Sequence, residues 1–342
     1  MTSSPKSMPP ADDPELAAAP GLAEIEAAAA RLAGQAVVTP LLESPALNEA
    51  VGGRVLLKAE PLQRTGSFKF RGAFNKISQI PEAARAAGVV AYSSGNHAQG
   101  VAAAARLLGL PANIVMPADA PAIKIANTRA LGAEVVFYDR HGESREEVAE
   151  RLLAERGATL VPPYDDPDIV AGQGTVGLEI YDQATALGAR LDAALVCCGG
   201  GGLIAGTATA LGARDPEIAV YAVEPAGFDD TARSLASGRR EGNDLAARSF
   251  CDALLAPTPG VLTFAINQRL LAGGLVVDDG EVAAAMAFAF RVLKLVVEPG
   301  GAVALAALLS GKIAAEGKTL AVVLSGGNVD PASFAAAIGS ET

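Results

Sequence analysis

Cysteine, cationic residues and long apolar runs are all scarce in this chain. There are three cysteines among 342 residues, and two of them, Cys197 and Cys198, are adjacent. That number and spacing form neither a disulfide framework nor a spaced metal motif, which points to a reducing compartment, and we expect the cytoplasm. Lys and Arg total 27 against 38 Asp and Glu, a net charge of −11. So acidic a chain lacks the clustered cations that nucleic acid and anionic membrane surfaces require, and both are excluded as partners. The apolar stretches "VAAAARLLGL" and "GAVALAALLSG" are too short, and too interrupted by Arg or Gly, to span a bilayer. The opening "MTSSPKSMPPADDPELAAAPG" has no basic segment leading into an apolar run, so it is not a secretory signal. Its Pro, Ser and acidic residues predict a disordered tail over residues 1–14.

What the chain does have is a repeated alternation. Half of its residues are hydrophobic, enough for a large core holding about two domains or one big one. Short β-rich runs lead through Gly- or Ser-rich turns into Ala-rich helices. "VVAY" leads into "SSGNHAQGVAAAARLLGL", "ANIVMP" into "APAIKIANTRALG", and "EVVFYD" into "ESREEVAERLLAERG". Later come "AALVCCGGGGLIAGTATALGA", "IAVYAVEP" and "LAVVLSGGN". Strands of four to six residues alternating with longer helices predict an α/β fold of two open, largely parallel sheets flanked by helices. The Pro- and Asp-rich break "VPPYDDPD" divides the chain into a small domain over 88–165 and a large one built from 15–87 and 166–342.

Open parallel sheets bind ligands beyond the carboxyl ends of their strands, which directs attention to four segments. In "QRTGSFKFRGAFNKI", Lys69 stands between two phenylalanines after a Thr-Gly-Ser turn. Its ordinary reading is a solvated helix lysine. The alternative is a nucleophile whose amine is neutralised by an apolar setting and forms a Schiff base. "SSGNHAQG" follows a strand and reads either as a Ser/Asn-capped helix start or as polar groups and free N–H groups aimed at a ligand. "GGGG", Gly199 to Gly202, lets the backbone approach an anion closely. It lacks the Gly-Lys-Ser/Thr of a nucleotide P-loop and misses the dinucleotide fingerprint. "SGGN" adds a hydroxyl at Ser325. A lysine, a phosphate cradle and a hydroxyl on one rim suggest pyridoxal phosphate.

Taken in order, "GSFKFRGAFNKI", "SSGNHAQG", "GGGGLIAG", "VEPGGAVALAAL" and "LSGGN" resemble the fold-type-II pyridoxal-phosphate enzymes of the threonine/serine dehydratase branch, which includes serine racemase. The likeness runs from about residue 18 to 337 and implies a tryptophan synthase β-like fold. It implies that Lys69 carries the cofactor and moves the substrate α-proton. Phe68 packs against the ring, Asn96 bonds its 3-oxygen, and Ser325 bonds the pyridine nitrogen. Gly199, Gly200, Gly201, Gly202 and Leu203 hold the phosphate. Ser94, Gly95, Asn96 and His97 receive the substrate carboxylate, and Ser94 is placed like the second acid/base of serine racemases. The implied reaction is β-elimination from L-threonine, L-serine or a related β-hydroxy amino acid to a 2-oxo acid and ammonia, a step of amino-acid catabolism. A serine rather than an aspartate at the ring nitrogen makes the cofactor a weaker electron sink and favours elimination. The alternatives are a serine or aspartate racemase, a 3-hydroxyaspartate ammonia-lyase and a catalytically inert cofactor-binding protein. A homodimer is usual in this family.

Two further groups are read with this likeness. Arg145 in "GESREEVAERL" is either a solvated helix arginine paired with neighbouring Glu or, by resemblance to serine racemases, a contact for a second substrate carboxylate. In "VEPAGFDDTARS", the side chains of Glu224 and Asp230 and the carbonyl of Phe228 resemble a Mg²⁺ or Ca²⁺ site. Hard oxygen ligands suit those ions. The competing explanation is acidic residues at a helix N-terminus, interacting with its dipole.

Overall fold

A computed structural model of the chain describes residues 16–339 apart from 121, 141 and 245. The tail expected over 1–14 lies outside the described residues. Among the described residues ten strands form two sheets. The six-stranded sheet is built from β1 (Leu41–Glu43), β2 (Arg54–Ala59), β7 (Ala193–Cys197), β8 (Ala219–Pro225), β9 (Leu271–Val277) and β10 (Thr319–Leu324). Its order is β1-β2-β10-β7-β8-β9. The four-stranded sheet is built from β3 (Val89–Tyr92), β4 (Ala112–Pro117), β5 (Glu134–Tyr138) and β6 (Thr159–Leu160), in the order β5-β4-β3-β6.

Among the described residues every pairing between these strands is parallel except one. β1 runs antiparallel to β2, with Leu41 opposite Lys58, so the large sheet is mixed rather than wholly parallel. Residues 44–53 join the two strands, too short a connection for the usual crossover between parallel neighbours. β10, the last strand in sequence, lies between β2 and β7. This brings the loop after β10 beside the loop after β7. Leu56, Leu57, Val196, Val322 and Val323 are fully buried in the large core. The helix Pro299–Leu309 is buried along almost its whole length, and its Ala and Gly residues let it pack close to the strands. No helix of the described residues is long and apolar enough to cross a membrane.

The helix Lys69–Ser78 is anchored by buried charge. Arg71 is 1 % exposed. Its Nε and Nη2 donate to the two carboxylate oxygens of Glu60, both at 2.8 Å, and its Nη1 donates to Glu179 Oε1 at 2.6 Å. Lys58 Nζ donates to Glu179 Oε2 at 2.6 Å, to the Thr39 carbonyl and to Gln183. Burial, the largest single influence, would raise the Glu60 pKa, but the Arg71 guanidinium together with Lys58 and Thr39 outweighs it and holds the carboxyl below its usual range. Each charge has partners on several sides, which is the condition under which buried ions are tolerated.

Candidate active site

A cleft of about 1230 Å³ opens where the carboxyl ends of β3, β7 and β10 converge. Phe68, Lys69, Ser94, Gly95, Asn96, His97, Arg145, Gly199, Gly200, Gly201, Gly202, Leu203 and Ser325 all line it. Glu224, Phe228 and Asp230 do not. The structure thus gathers the residues singled out for cofactor and substrate into one place and leaves the three metal candidates elsewhere.

Lys69 begins its helix two residues before the anchored Arg71. Its Nζ donates to the Pro163 carbonyl at 2.7 Å and lies 5.1 Å from the centroid of the Phe68 ring. Part of the side chain faces the cleft, but the surrounding protein withdraws the amine from water. This burial lowers its pKa to about 8, against weaker opposing effects of Cys197 and Glu298. A substantial neutral fraction at mildly alkaline pH is what a carbonyl-attacking amine requires.

The loop after β10 closes over this lysine. Phe68 N donates to the Ser325 carbonyl at 3.1 Å, Gly327 N donates to the Gly66 carbonyl at 2.9 Å, and Ser67 pairs with Gly326. Beside Ser325 lies the Cys197 thiol, whose burial pushes its pKa up to about 11 although Ser325 opposes the rise. Opposite stands the loop after β3. The Ser/Asn helix cap that the sequence allows is not formed. The helix Asn96–Leu108 has Gly95 at its N-cap with no side-chain cap bond, so no cap side chain takes up its first N–H groups. Asn96 Nδ2 donates to Glu298 Oε1 at 2.6 Å, and Asn96 Oδ1 accepts from Asn328 Nδ2 at 2.8 Å. The His97 ring sits 2.8 Å from the Val161 carbonyl through Nε2. A carbonyl only accepts, so Nε2 carries the proton. Nδ1 is then a buried acceptor with no hydrogen-bond partner. Burial, reinforced by the Lys69 charge, lowers the His97 pKa to about 3, so the ring is neutral at physiological pH.

The glycine run after β7 shapes the third wall. Gly201 has φ of +91°, a conformation that side chains rarely adopt. Gly200 is pressed so close to Tyr164 that a Cβ there would run into the ring. Thr263 Oγ1 donates to the Gly200 carbonyl at 2.7 Å and steadies the turn. Close backbone approach, a left-handed turn and a helix beginning at Gly202 fit the phosphate of pyridoxal phosphate. Together with a lysine of lowered pKa and a buried serine hydroxyl, the residues present fit that cofactor.

Several groups of the cleft do not stand out in the sequence. Glu298 lies within a motif quoted for its resemblance, yet nothing local assigns it a role. It is 3 % exposed, and burial raises its pKa to about 8 although the Asn96 amide opposes this. The segment 161–166, a mere break by composition, is a strap. Its Val161 and Pro163 carbonyls meet His97 and Lys69, Tyr164 packs on Gly200, and Asp165 accepts from Val261 N and Thr263 N. Lys124 and Asp252 form a 2.7 Å ion pair on the cleft lining. The only signal for these residues is a lone polar group beside an apolar run, which ordinary surface positions share.

At the metal candidates, Glu224 and Asp230 are fully buried. Glu224 Oε1 accepts from Thr231 N at 3.0 Å and Oε2 from Ala232 N at 2.8 Å, so this carboxylate caps the helix Asp230–Ser237. Among the described residues no group of three or more His, Cys, Asp or Glu is placed to hold a metal ion. Asp230 Oδ1 accepts from Asn243 at 2.6 Å, while Oδ2 is buried without a hydrogen-bond partner among the described residues.

Comparison with known proteins agrees with the geometry. A profile of the family described as "Pyridoxal-phosphate dependent enzyme" matches residues 32–326. The chain is 47% identical over 308 residues to the L-threo-3-hydroxyaspartate ammonia-lyase of a Pseudomonas species, covering 90% of this chain and 95% of that one. The crystal structure of a threonine deaminase from T.th. superposes with a TM-score of 0.86 at 46% identity, covering 91% of this chain and 99% of that one. Maize serine racemase gives a TM-score of 0.88 at 37% identity, with 94% and 97% covered.

Proposed function

We propose, from the premise that this chain belongs to the pyridoxal-phosphate dependent enzyme family, that it catalyses β-elimination from a β-hydroxy amino acid, and that 3-hydroxyaspartate is its preferred substrate. The observation that carries the substrate reading is Arg145, a guanidinium on the wall of the same cleft that holds Lys69. The name of the Pseudomonas relative points the same way. L-Serine and L-threonine present the same α-carbon and β-hydroxyl to the same residues but offer Arg145 no carboxylate. An Arg–carboxylate pair can be bidentate, with strength and geometric selectivity that a neutral contact lacks.

In this reading Lys69 would hold the cofactor, Phe68 would pack on its ring, Asn96 and Ser325 would bond its ring oxygen and nitrogen, and Gly199 to Leu203 would take its phosphate. When bound there, the cofactor supplies an electron sink that acidifies the α-proton of the amino acid. Ser94, Gly95, Asn96 and His97 receive the α-carboxylate at the uncapped helix start. Lys69 would take the α-proton at Nζ, and the Pro163 carbonyl would orient that nitrogen. The β-hydroxyl leaves as water, and hydrolysis consumes a water, so the net products are a 2-oxo acid and ammonium. Ser94 on the same cleft also supports some racemisation, as a second acid/base at Oγ.

We infer the domain division expected above, with 88–165 as the small unit; the two separate sheets support it. We also infer a homodimer in the cytoplasm, the latter supported by three cysteines that are free and buried. At Glu224, Phe228 and Asp230 we infer a Mg²⁺ or Ca²⁺ ion, supported by the unpartnered Asp230 Oδ2.

The test is kcat/KM for ammonia release from L-threo-3-hydroxyaspartate, L-serine and L-threonine. Arg145→Ala should depress the first far more than the other two, by roughly 1.5–3 kcal/mol for a lost hydrogen bond to a charged group. A wild-type protein that prefers serine, with Arg145→Ala affecting all three alike, leaves Arg145 as a solvated helix residue.

A further inference from the structure

Tyr92 ends β3, immediately before the loop Ser93–Gly95. It is half-buried and packs against the cluster of Val90, Val115, Val148, Ala149 and Leu152 between the small sheet and the helix Arg145–Arg156. A ring wedged among those aliphatic side chains has little freedom to swing. Its face meets the guanidinium of Arg145, whose central carbon lies 5.3 Å from the ring centroid. Both residues line the cleft. Arg145 is itself the first residue of its helix, whose start is fixed by Ser144 accepting from Glu147 N.

Two forces act on this guanidinium. Glu146, its chain neighbour, accepts from Nε at 2.7 Å, and both side chains are about half exposed at 45% and 50%. An exposed pair of this kind is weak and holds a long side chain loosely. The aromatic face is a second, better fixed partner. It attracts a cation by its quadrupole without using any N–H donor. The bond to Glu146 occupies Nε, whereas a guanidinium carries five N–H donors in a planar fork. Tyr92 therefore restrains the plane of the fork while leaving hydrogen-bond capacity for an incoming anion. Burial, with Glu146 close by, raises the Tyr92 pKa, so its hydroxyl keeps its proton and is a donor rather than a competing anion.

From this juxtaposition we infer that Tyr92 is a specificity-determining residue, which presents Arg145 to the second carboxylate of a dicarboxylic amino acid. The inference rests on the substrate reading given above and deepens it. Tyr92 is two residues from Ser94 along the chain. The strand end thus brings the guanidinium and the proposed α-carboxylate loop into one cleft, where a substrate with carboxylates at both ends can engage both. A monocarboxylic substrate makes no use of the arrangement.

The decisive measurement is the selectivity ratio, kcat/KM for L-threo-3-hydroxyaspartate over that for L-serine, in holoenzyme carrying Tyr92→Leu or Tyr92→Phe. Tyr92→Leu keeps an apolar side chain in the aliphatic cluster but removes the aromatic face. It should lower the ratio roughly two- to fivefold, the size of a cation–π contact at a partly exposed site, with the change in KM. Tyr92→Phe should keep most of the ratio. A second readout avoids turnover: malonate at equal concentration should raise the melting temperature of wild type more than of Tyr92→Leu, while acetate should not distinguish them. If Arg145→Ala changes the ratio and Tyr92→Leu does not, the inference about Tyr92 is wrong and the substrate reading stands. If Arg145→Ala also leaves the ratio unchanged, the substrate reading itself has failed.

Discussion

Arg71 and Lys69 are two residues apart on one helix, and both are cations drawn into the protein, yet their surroundings differ in kind. Arg71 meets two carboxylates and Thr175 besides. It keeps its charge, and the net effect of its carboxylates raises its pKa despite burial. Lys69 meets one peptide carbonyl, and its pKa falls to about 8. The same contrast separates Glu60, held ionised by Arg71, from Glu298, raised to about 8 with the Asn96 amide as its described hydrogen-bond partner. Burial with full pairing makes a cation structural. Burial with incomplete pairing leaves a group able to change protonation state, and such groups collect at chemical sites.

The largest test of that contrast sets the lysine against the arginine. Lys69→Ala should reduce elimination by at least roughly 10²–10⁴-fold, the range for losing a positioned acid–base group, and should leave the melting temperature of the cofactor-free protein as high as wild type or higher. Arg71→Met should do the reverse. It strands Glu60 and part of Glu179, and removing one partner of a buried pair costs about 3–5 kcal/mol. The protein that still folds should retain the visible absorbance of bound cofactor. Full turnover in Lys69→Ala, or an unchanged unfolding midpoint in Arg71→Met, breaks the comparison on that side.

Much of the site is legible in the sequence because chemistry-bearing loops follow strands, and the strand runs "VVAY" and "ANIVMP" match β3 and β4 residue for residue. The glycine run, Ser94 and Ser325 stand out for the same reason, and Lys69 stands out by its two phenylalanine neighbours after a Thr-Gly-Ser turn. β2 and β9 are harder to see. β2 carries, next to its last residue, Lys58, which looks like a solvent-facing residue but is fully buried against Glu179. β9 contains Gly273 and Gly274, which weaken a strand pattern, and it pairs with β8 through a register shift. The antiparallel β1 is three residues long, too short for periodicity to show. Glu298 and the strap 161–166 act through contacts to residues distant in sequence. Local pattern carries no record of such contacts.

A smaller effect sharpens the comparison through pH. The ordinary pKa of Glu298 is 4.5 and in the fold it rises to about 8. The folded protein therefore holds a proton that the unfolded chain has released across that interval. The associated stability is fully present below 4.5 and is lost as pH rises through 8. Glu298→Gln keeps an oxygen to accept from Asn96 but cannot ionise. In cofactor-free protein, wild type should lose stability relative to Glu298→Gln as the pH is raised from about 5 to 8, measured by denaturant midpoints. Parallel pH curves for the two proteins would show that Glu298 is ionised throughout, and would move it into the fully paired class with Glu60.

The smallest effect concerns a region between those two classes. Glu224 has both oxygens bonded to backbone N–H groups, but its burial and the nearby Asp230 raise its pKa to about 8. Burial raises Asp230 to about 6 even though Asn243 donates to it. Without a cation, both carboxylates hold protons in the fold that the unfolded chain gives up, so their stability contribution falls as pH rises from about 4 to 8. A bound Mg²⁺ or Ca²⁺ removes that slope, because it requires the ionised carboxylates and neutralises them. At a hundredfold excess over Kd the ion adds about 2.7 kcal/mol. Chelation should therefore lower the melting temperature more at about pH 8 than at about pH 6, and either ion should restore it. Glu224→Gln should abolish the restoration. If chelated protein melts as before at both pH values, the two acids are a buried helix cap, and the unpartnered Asp230 Oδ2 is satisfied by its own proton instead.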